Sequence, residues 1–549
     1  MIYDLKVGER KETTSKEVSW QKRLTFLIIL FFILIRIFSV VSPGTYNIHD
    51  DYQGYFVFSE KMIQTGSIGT DPYSERRIVS SLGGQYYLGT FIYNFGDIKN
   101  ISFVDYGVGY IIFLISLLYL FKEYQLGWIY SALIFFGATI SVPPISNITG
   151  FYIAATLFIA ICRIGSWKTE KDKFDLGFFG SVILLTSSLC SLKSSLIPAS
   201  IILFGFFCLF ANGAKITLKN KITVFLCGIA AIFLLLTPWM MSMLHSSGTL
   251  LYPLLGKGFH GSSYGTFMVP THSFGIKTFI SLIYDWQNIL FLIIFLIFVI
   301  RVVGKKLKGE RFEDYFVMSG ILGVLIISIS TAGYATYRYT YAFILPITIV
   351  LLLFEIKEAL QSKHILKGQI AFLILGIFIG GNIYDFFIVD KAVILSIKFG
   401  LKNQDIVSNV ERDEYKAMQM SVPKGETILV RLEKNFVLDF NRNQIFIADY
   451  PGASSPPPGM PYKQGSEKLA EYLISKDIRY VAYAYKTSAN FSKENFSDRL
   501  IHGINAWIKT EAENAFDFQD NIFLLGLSRK RIFDDGKIFV LDLATTIKN

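Results

Sequence analysis

The recurrence of long apolar segments constrains the fold of this chain more than any other feature. Runs of about twenty mostly apolar residues recur before residue 390, and an α-helix of that length spans the hydrocarbon core of a bilayer. The chain is 52% hydrophobic and 17% charged, whereas a soluble protein is about one quarter charged. The sequence therefore predicts a polytopic α-helical membrane protein. About eleven transmembrane helices are expected, at residues 24–42, 101–121, 125–142, 149–163, 176–192, 196–211, 222–243, 284–302, 314–331, 338–354 and 370–389.

Basic residues in the connecting segments predict the orientation of these spans. Lys and Arg concentrate in the N-terminal segment and in every second loop, whereas alternate loops such as 143–148 lack them. Because basic loops stay on the cytoplasmic side, the N-terminus is predicted to be cytoplasmic, and an odd number of spans places the C-terminal region outside. The net charge of +10 is explained by these loops, so no nucleic-acid partner is predicted.

Three hydrophilic segments share the predicted outer face. They are the first outer loop, residues 43–100, the second outer loop, 244–283, and the tail, 391–549. In the tail, a helical stretch at Glu467–Ser475 accompanies strand-like apolar stretches, which predicts a C-terminal extracytoplasmic α/β domain. The strand-like stretches are Thr427–Leu432, Gln444–Ala448, Tyr480–Ala484, Ile522–Leu527 and Ile538–Leu543. The predicted domains are a cytoplasmic segment, 1–23, a transmembrane domain, 24–390, and the tail domain, 391–549.

The acidic pair Asp50 and Asp51, just past the first span, is the strongest functional signal. Carboxylates this close to hydrocarbon are costly, so they mark a functional site by default. Such a group can take a proton, hold a metal ion or bind a cation. The preceding His49 is either a second base, a metal ligand or a residue at the entry to a helix.

Two stretches of the first outer loop have apolar residues at helical spacing. Residues 52–65 predict an amphipathic helix that lies on the membrane and is broken at Gly66. Residues 85–95 form a second such stretch. The alternative for both is packing of the loop onto the helix bundle.

Basic residues on the predicted outer face are candidates for binding a lipid phosphate, because a phosphate leaving group needs positive charge. Arg76 and Arg77 lie in the first outer loop, Lys193 ends the fifth span and Arg338 begins the tenth. Contact with phospholipid headgroups is the alternative role of each.

No cofactor is identified from the sequence, although a divalent metal ion at the acidic pair is left open. In the second outer loop, His245, His260 and His272 fit no familiar ligand spacing. All four cysteines fall in or beside apolar spans, so a disulfide scaffold is not predicted. No phosphate-binding Gly-rich loop of the Walker type is present.

The acidic pair in this setting resembles the GT-C superfamily of membrane glycosyltransferases. In that family, the first outer loop begins with an Asp, an acidic residue and an aromatic residue, and then forms a helix that ends at Gly. The corresponding residues here are Asp50, Asp51, Tyr52 or Tyr55, and Gly66. Asp51 stands where many members have Glu. Further likeness is found at Trp239 with 248–253, at Arg338-Tyr339 before Pro346, and in the C-terminal domain outside the membrane.

The resemblance implies an inverting glycosyltransferase that moves a sugar from a polyprenyl-phosphate donor to an acceptor on the outer face. By position, Asp50 would be the general base, and Asp51 would orient the acceptor or assist a metal ion. The donor phosphate would be bound by Arg76, Arg77, Lys193 and Arg338. Lipid, glycan and protein acceptors are all left open. The absence of cysteine from the outer segments suits a bacterial inner membrane.

Three other functions are left open. An O-antigen polymerase or ligase-type enzyme also acts on polyprenyl-linked glycan, but typically places key Arg and His residues in a large late outer loop. A lipid-linked glycan transporter or flippase predicts charged or broken spans near the bilayer midplane. The interiors of the predicted spans are nearly free of charge, and the clearest exception, Arg36, either reaches for the membrane surface or faces a site. Anchoring the tail alone would need far fewer spans.

Overall fold

The computed structural model combines a bundle of apolar helices with a small α/β tail domain. It describes residues 15–40, 46, 51–74, 82–142, 150–166, 176–211, 217–251, 286–303, 312–330, 336–362, 365–389, 405–449, 455–485 and 506–547.

The described helices before residue 390 overlap the apolar segments that the sequence predicted as spans. In chain order they are α1 (Ser15–Val40), α2 (Phe56–Thr65), α3 (Gly84–Thr90), α4 (Tyr110–Tyr124), α5 (Trp128–Thr139), α6 (Phe151–Ser166), α7 (Leu176–Leu192), α8 (Ile197–Phe206), α9 (Leu218–Ser247), α10 (Trp286–Val303), α11 (Phe312–Ser330), α12 (Thr336–Ser362) and α13 (Ile365–Tyr384). All except α2 and α3 coincide with a predicted span. Helix α9 is longer than expected and includes His245, which the sequence had assigned to the second outer loop.

Within the described residues, four helical stretches are long and apolar enough to cross a membrane. They are Ile98–Tyr124, Leu218–Ser247, Tyr337–Gln361 and Gly368–Phe387. The protein is therefore an integral membrane protein. Helix α12 is the central one, because nearly every side chain from Thr340 to Ile356 is buried, and a helix that is apolar all around packs on all sides.

One end of the bundle is held together by charged pairs, and we call it the charge-paired end. There, Arg163 Nη2 of α6 lies 3.0 Å from Glu123 Oε2 of α4. The hydroxyl of Tyr124 donates to Glu313 of α11 over 2.9 Å. The ammonium of Lys357, from α12, lies 5.3 Å from the centroid of the Tyr124 ring. We call the other end, where the tail domain packs, the tail end.

The tail domain contains a mixed five-stranded sheet in the part of the chain that is described. Its helices are α14 (Asn409–Met420), α15 (Ser466–Ser475) and α16 (Ala506–Ser528), and its strands are β1 (Thr427–Arg431), β2 (Gln444–Ile447), β3 (Tyr480–Ala484), β4 (Arg529–Asp534) and β5 (Ile538–Thr546). The strand order is β2-β1-β3-β5-β4, with β2, β1 and β3 parallel and the other pairs antiparallel. Every residue of β1 and β3 is buried, as expected for central parallel strands. The predicted α/β fold of the tail is confirmed.

Two elements of the tail differ from the sequence expectation. The apolar stretch Ile522–Leu527 belongs to helix α16. Strand β4, which begins Arg529-Lys530-Arg531, has no apolar signal because it is an edge strand with mostly half-buried or exposed side chains. Charged residues on an edge strand discourage pairing with another chain.

The two faces of the sheet are covered by different parts of the protein. One face packs against α15 and α16 through a cluster that includes Leu429, Val481, Leu541, Leu473 and Phe518. The other face packs against α14 and the first outer loop through a cluster that includes Ile428, Val430, Tyr415, Tyr52 and Phe56. The first outer loop therefore completes the hydrophobic core of the tail domain.

The helix predicted over 52–65 is present, but it does not lie open on a membrane surface. A π-helical turn, Asp51–Tyr55, continues into α2, which ends at Gly66 in the left-handed conformation with φ 75°. All side chains from Asp51 to Ser59 are buried, because the tail domain and α3 cover them. The predicted membrane-lying position of this helix is thus wrong.

The second stretch of the first outer loop has the exposed apolar face instead. Helix α3 and the following 3-10 turn, Phe91–Asn94, expose Tyr87, Phe91 and Phe95 by 50%, 43% and 88%. The rings of Tyr87 and Phe91 pack edge to face with their centroids 5.2 Å apart, and Phe95 directly follows the turn. Exposed aromatic side chains of this kind suit the boundary between lipid and water.

Candidate active site

Asp51 is fully buried at the start of the turn that precedes α2. Its charge is within electrostatic reach of Tyr46, Tyr52 and Tyr106. Removing a carboxylate from water costs several kcal/mol even after the surroundings relax. A carboxylate kept in this position therefore points to a use for its charge.

Two tyrosines beside Asp51 are held in their protonated form. The Tyr46 hydroxyl lies 3.1 Å from Ser102 Oγ and also donates to the backbone oxygen of Lys99. Burial raises the pKa of Tyr46, and Asp51 adds to the rise. Burial likewise raises the pKa of Tyr52, followed by the carboxylates of Glu433 and Asp51. Both phenols therefore remain neutral. The single proton of Tyr46 is donated to the backbone oxygen of Lys99, so Tyr52 is the potential hydrogen-bond donor at the site.

A second buried carboxylate, Asp105, caps helix α6 from a neighbouring segment. Its Oδ2 accepts from the backbone N–H groups of Phe151, at 2.8 Å, and Tyr152, at 3.1 Å, and its Oδ1 accepts from Ile153 at 2.9 Å. A negative charge is stabilised at a helix N-terminus, where the first N–H groups have no partner within the helix. The sequence prediction did not single out Asp105. The available signal was an acid within the first turn of a predicted span.

Arg36 points into the bundle and faces the same region as the carboxylates. Its side chain is buried, its Nη2 donates to the Tyr152 hydroxyl over 3.1 Å, and it is within electrostatic reach of Tyr106. The Tyr152 hydroxyl in turn donates to the backbone oxygen of Ser141 over 2.5 Å, and Ser141 Oγ lies 3.1 Å from the Tyr341 hydroxyl. A polar chain thus joins α1, α6 and α12. We call Asp51, Asp105, Tyr106 and Arg36 the acid cluster.

The predicted phosphate ligands Lys193 and Arg338 come together at one aromatic ring. Lys193 Nζ lies 5.2 Å, and Arg338 Cζ 5.7 Å, from the ring centroid of Tyr339. Lys193 is in the extended link between α7 and the 3-10 turn that leads into α8. These two cations are 145 residues apart in the sequence, and the packing of the 3-10 turn Ser194–Leu196 against α12 makes them neighbours. We call them the cation pair.

The N-terminus of α6 connects the acid cluster with the cation pair. The residue before this helix is Gly150, and a Cβ atom there would lie 2.7 Å from Gln85 Oε1 and 3.3 Å from Leu192. Gln85 and the residue before Lys193 therefore abut the turn whose N–H groups bind Asp105. The acid cluster and the cation pair both lie at the tail end of the bundle.

Several predicted site residues lie outside the described residues. These are His49, Asp50, Arg76 and Arg77, together with His260 and His272 of the second outer loop. Tyr55 is buried, and its ring centroid lies 5.9 Å from that of Tyr86, so it serves as packing between α3 and the turn before α2. His245 is exposed in the last turn of α9. Among the residues with a described position, no three His, Cys, Asp or Glu side chains form a group that could hold a metal ion.

The arrangement provides opposite charges at one end of an apolar bundle. A carboxylate among neutral phenols can accept or direct a proton. Two cations at a lipid boundary can bind an anionic headgroup or stabilise a departing phosphate. These are the two requirements of a group transfer from a lipid phosphate.

No family model matches the chain, and no curated protein matches it. Among solved structures, it is similar to the oligosaccharyltransferase AglB of Archaeoglobus fulgidus in complex with an inhibitory peptide and a dolichol-phosphate, with 11% identity and a TM-score of 0.45 over 85% of this chain and 70% of that one. It is also similar to ArnT of Cupriavidus metallidurans bound to undecaprenyl phosphate, with 8% identity and a TM-score of 0.45 over 96% and 98%.

Proposed function

We propose that this protein is an inverting glycosyltransferase that moves a sugar from a polyprenyl-phosphate donor to an acceptor on the outer face of a membrane. The proposed topology has eleven spans in residues 24–390, a cytoplasmic segment, 1–23, and an extracytoplasmic tail domain, 391–549. The proposed location is the bacterial inner membrane.

The observation that carries this proposal is that the fully buried Asp51 and the half-buried cation pair lie at the same end of an apolar bundle. The buried carboxylate, next to Asp50 in the sequence, can accept a hydrogen bond from the attacking hydroxyl or amine and so orient the acceptor. Cations at the membrane boundary suit a lipid phosphate. A polyprenyl phosphate can present its phosphate at this height while its chain lies beside the apolar helices. The sugar donor class is supported by the likeness of the acidic pair to the GT-C motif.

The proposed reaction is a single displacement at the anomeric carbon. An acceptor hydroxyl or amine attacks that carbon, its proton passes to Asp50, and the bond to the polyprenyl phosphate breaks with inversion. Lys193 and Arg338, together with Arg76 and Arg77, stabilise the phosphate as it leaves. Asp51 orients the acceptor. Where a divalent ion takes part, the acidic pair supplies oxygen ligands of the type such ions prefer.

The test is transfer from a panel of radiolabelled polyprenyl-phosphate sugars to acceptors in a membrane extract. We expect Asp50→Asn to lower the rate about 10²- to 10⁴-fold, the usual contribution of a general base, and Asp51→Asn to lower it clearly. Glu313→Gln makes the same carboxylate-to-amide change at the charge-paired end, and its rate should stay within about two-fold, since Glu313 lies far from the site in the fold.

Each alternative function has its own outcome in this experiment. Full activity of Asp50→Asn would show that it is not the base. Products that grow by whole repeat units would favour an O-antigen polymerase or ligase-type enzyme. Movement of a lipid-linked glycan across vesicles without any transfer would favour a transporter or flippase.

A further inference from the structure

We propose that the tail domain is a structural part of the acidic site. Gln53 is the positioning residue that fixes the tail segment 432–436 against the turn that carries Asp51. The structural half of this inference stands on contacts alone. Its effect on turnover rests on the proposed function.

Gln53 uses its whole side-chain amide to bind the tail domain. Its Nε2 donates to the backbone oxygens of Leu432, at 2.9 Å, and Glu433, at 2.8 Å. Its Oε1 accepts from Asn435 Nδ2 at 2.6 Å. Gln53 is 1% exposed and Asn435 is 0% exposed, so water cannot replace these bonds if one partner is lost.

The same turn carries the acidic residue. Gln53 lies two positions after Asp51 in the π-helical turn. The rings on either side are also held by the tail, because Phe436 packs with Tyr52 at 5.2 Å and with Phe56 at 5.1 Å between ring centroids. A shift of the tail segment 432–436 therefore moves the backbone that carries Asp51.

The tail docks through the carboxyl edge of its parallel strands. The segment bound by Gln53 directly follows the end of β1, at Arg431. Beyond the end of β2, Asp449 accepts from the Ser74 hydroxyl at 2.9 Å, and the last β2 residue, Ile447, donates its N–H to Asp71 at 3.1 Å. In open α/β sheets this edge is where ligands bind. Here the first outer loop occupies that position.

A second glutamine provides a matched control within the same helix. Gln64 Nε2 donates to the Leu438 oxygen at 3.1 Å, and Gln64 Oε1 accepts from the Phe440 N–H at 2.6 Å. Gln64 thus makes the same kind of contact with the tail residues that follow, 438–440. It lies eleven residues beyond Gln53, about 16 Å along a helix, and therefore far from Asp51.

The experiment compares Gln53→Leu with Gln64→Leu in the full-length protein in lipid nanodiscs. Amide hydrogen exchange is measured over residues 51–58, 60–66 and 432–440, and sugar transfer is measured as kcat and as KM for the polyprenyl-phosphate donor. We expect Gln53→Leu to speed exchange at 51–58 at least about ten-fold and to lower kcat about 10- to 100-fold, with KM within about two-fold, because small misplacements of a reacting group cost rate. Gln64→Leu should speed exchange only at 60–66 and 438–440, with kcat within about two-fold.

Asn435→Leu tests the same contact from the tail side and leaves the sequence of the acidic turn unchanged. It should reproduce part of the effect of Gln53→Leu, because it removes one of the three hydrogen bonds of Gln53. The double variant should be no worse than Gln53→Leu alone, because that substitution already removes the bond that the two side chains share. Unchanged exchange at 51–58 in both variants, or equal kcat losses for Gln53→Leu and Gln64→Leu, would overturn the inference. If the wild type transfers no sugar, the proposed function fails. Hydrogen exchange still decides whether Gln53 fixes the tail domain against the turn that carries Asp51.

Discussion

Charged side chains are partly exposed and paired at one end of the bundle, whereas the carboxylates at the other end are buried. At the charge-paired end, Glu123 and Arg163 meet at 3.0 Å and remain 37% and 23% exposed. At the tail end, Asp51 and Asp105 are almost completely buried. Exposed ion pairs cost little to form and stabilise little, whereas buried carboxylates need dedicated partners. The difference indicates that one end serves the fold and that the other is built around its charges.

Both ends of the bundle contain a lysine ammonium near a tyrosine ring, so this contact by itself does not distinguish them. Lys193 lies 5.2 Å from the ring centroid of Tyr339 at the tail end, and Lys357 lies 5.3 Å from that of Tyr124 at the charge-paired end. The surroundings of the two rings differ. Arg338 adds a second cation at the Tyr339 ring, whereas the hydroxyl of Tyr124 donates a hydrogen bond to the carboxylate of Glu313. Paired substitutions at the two ends therefore test the comparison directly.

The largest expected effect is on stability, from Asp105→Ala. The change leaves three N–H groups of α6 without an acceptor in a buried place, and each such loss costs about 1–3 kcal/mol. We expect a loss of about 3 kcal/mol or more in the free energy of unfolding, seen as a lower Tm in detergent. The matched variant Glu123→Ala should lose at most about 1 kcal/mol. Equal losses would mean that the two ends do not differ as described.

An intermediate effect is expected on donor binding. Lys193→Met and Arg338→Met should each raise KM for the polyprenyl-phosphate donor about ten-fold, since a charged hydrogen bond contributes about 1.5–3 kcal/mol. Lys357→Met removes a cation from a comparable ring at the charge-paired end and should leave KM within about two-fold. The comparison is measured by initial rates against donor concentration. A similar rise in KM for all three variants would contradict a specific phosphate site.

The smallest effect is a pH dependence at an exposed pair. Lys99 Nζ of the first outer loop lies 2.7 Å from Asp405 Oδ1 of the tail. The hydrogen bond from Lys99 holds the pKa of Asp405 below its usual 3.8, and Arg412 adds to this. Because the folded-state pKa is lowered, the contribution of the pair is present above pH 3.8 and is lost as pH falls through the lowered pKa. This contact should thus behave like those at the charge-paired end.

Hydrogen exchange of residues 405–410, corrected for the intrinsic rate, measures this loss between pH 5 and pH 2.5. We expect a modest rise in corrected exchange in the wild type and a smaller rise in Asp405→Asn, which has no carboxylate to protonate. Identical pH profiles would show that the pair does not hold the tail.

Local features of the fold were predicted well, and the site only in part. The spans, the end of α2 at Gly66 and the tail strands β1, β2, β3 and β5 follow from local apolar patterns. Lys193 and Arg338 could be chosen as candidates because positive charge on the predicted outer face is unusual. Asp105 was missed, since its role depends on the N-terminus of α6, which lies 46 residues away. The helix over 52–65 was predicted correctly, but no local pattern indicates that the tail covers it.

The sequence by itself determined that this is a membrane protein of apolar helices with an α/β tail and an acidic pair after the first helix. Those properties depend on the length, hydrophobicity and order of nearby residues. Only the tertiary structure decided that the cation pair shares Tyr339, that Asp105 caps α6 and that Gln53 binds Leu432 and Asn435. These contacts join residues up to 382 positions apart. They depend on how complete helices and sheets pack, which no local window of sequence contains.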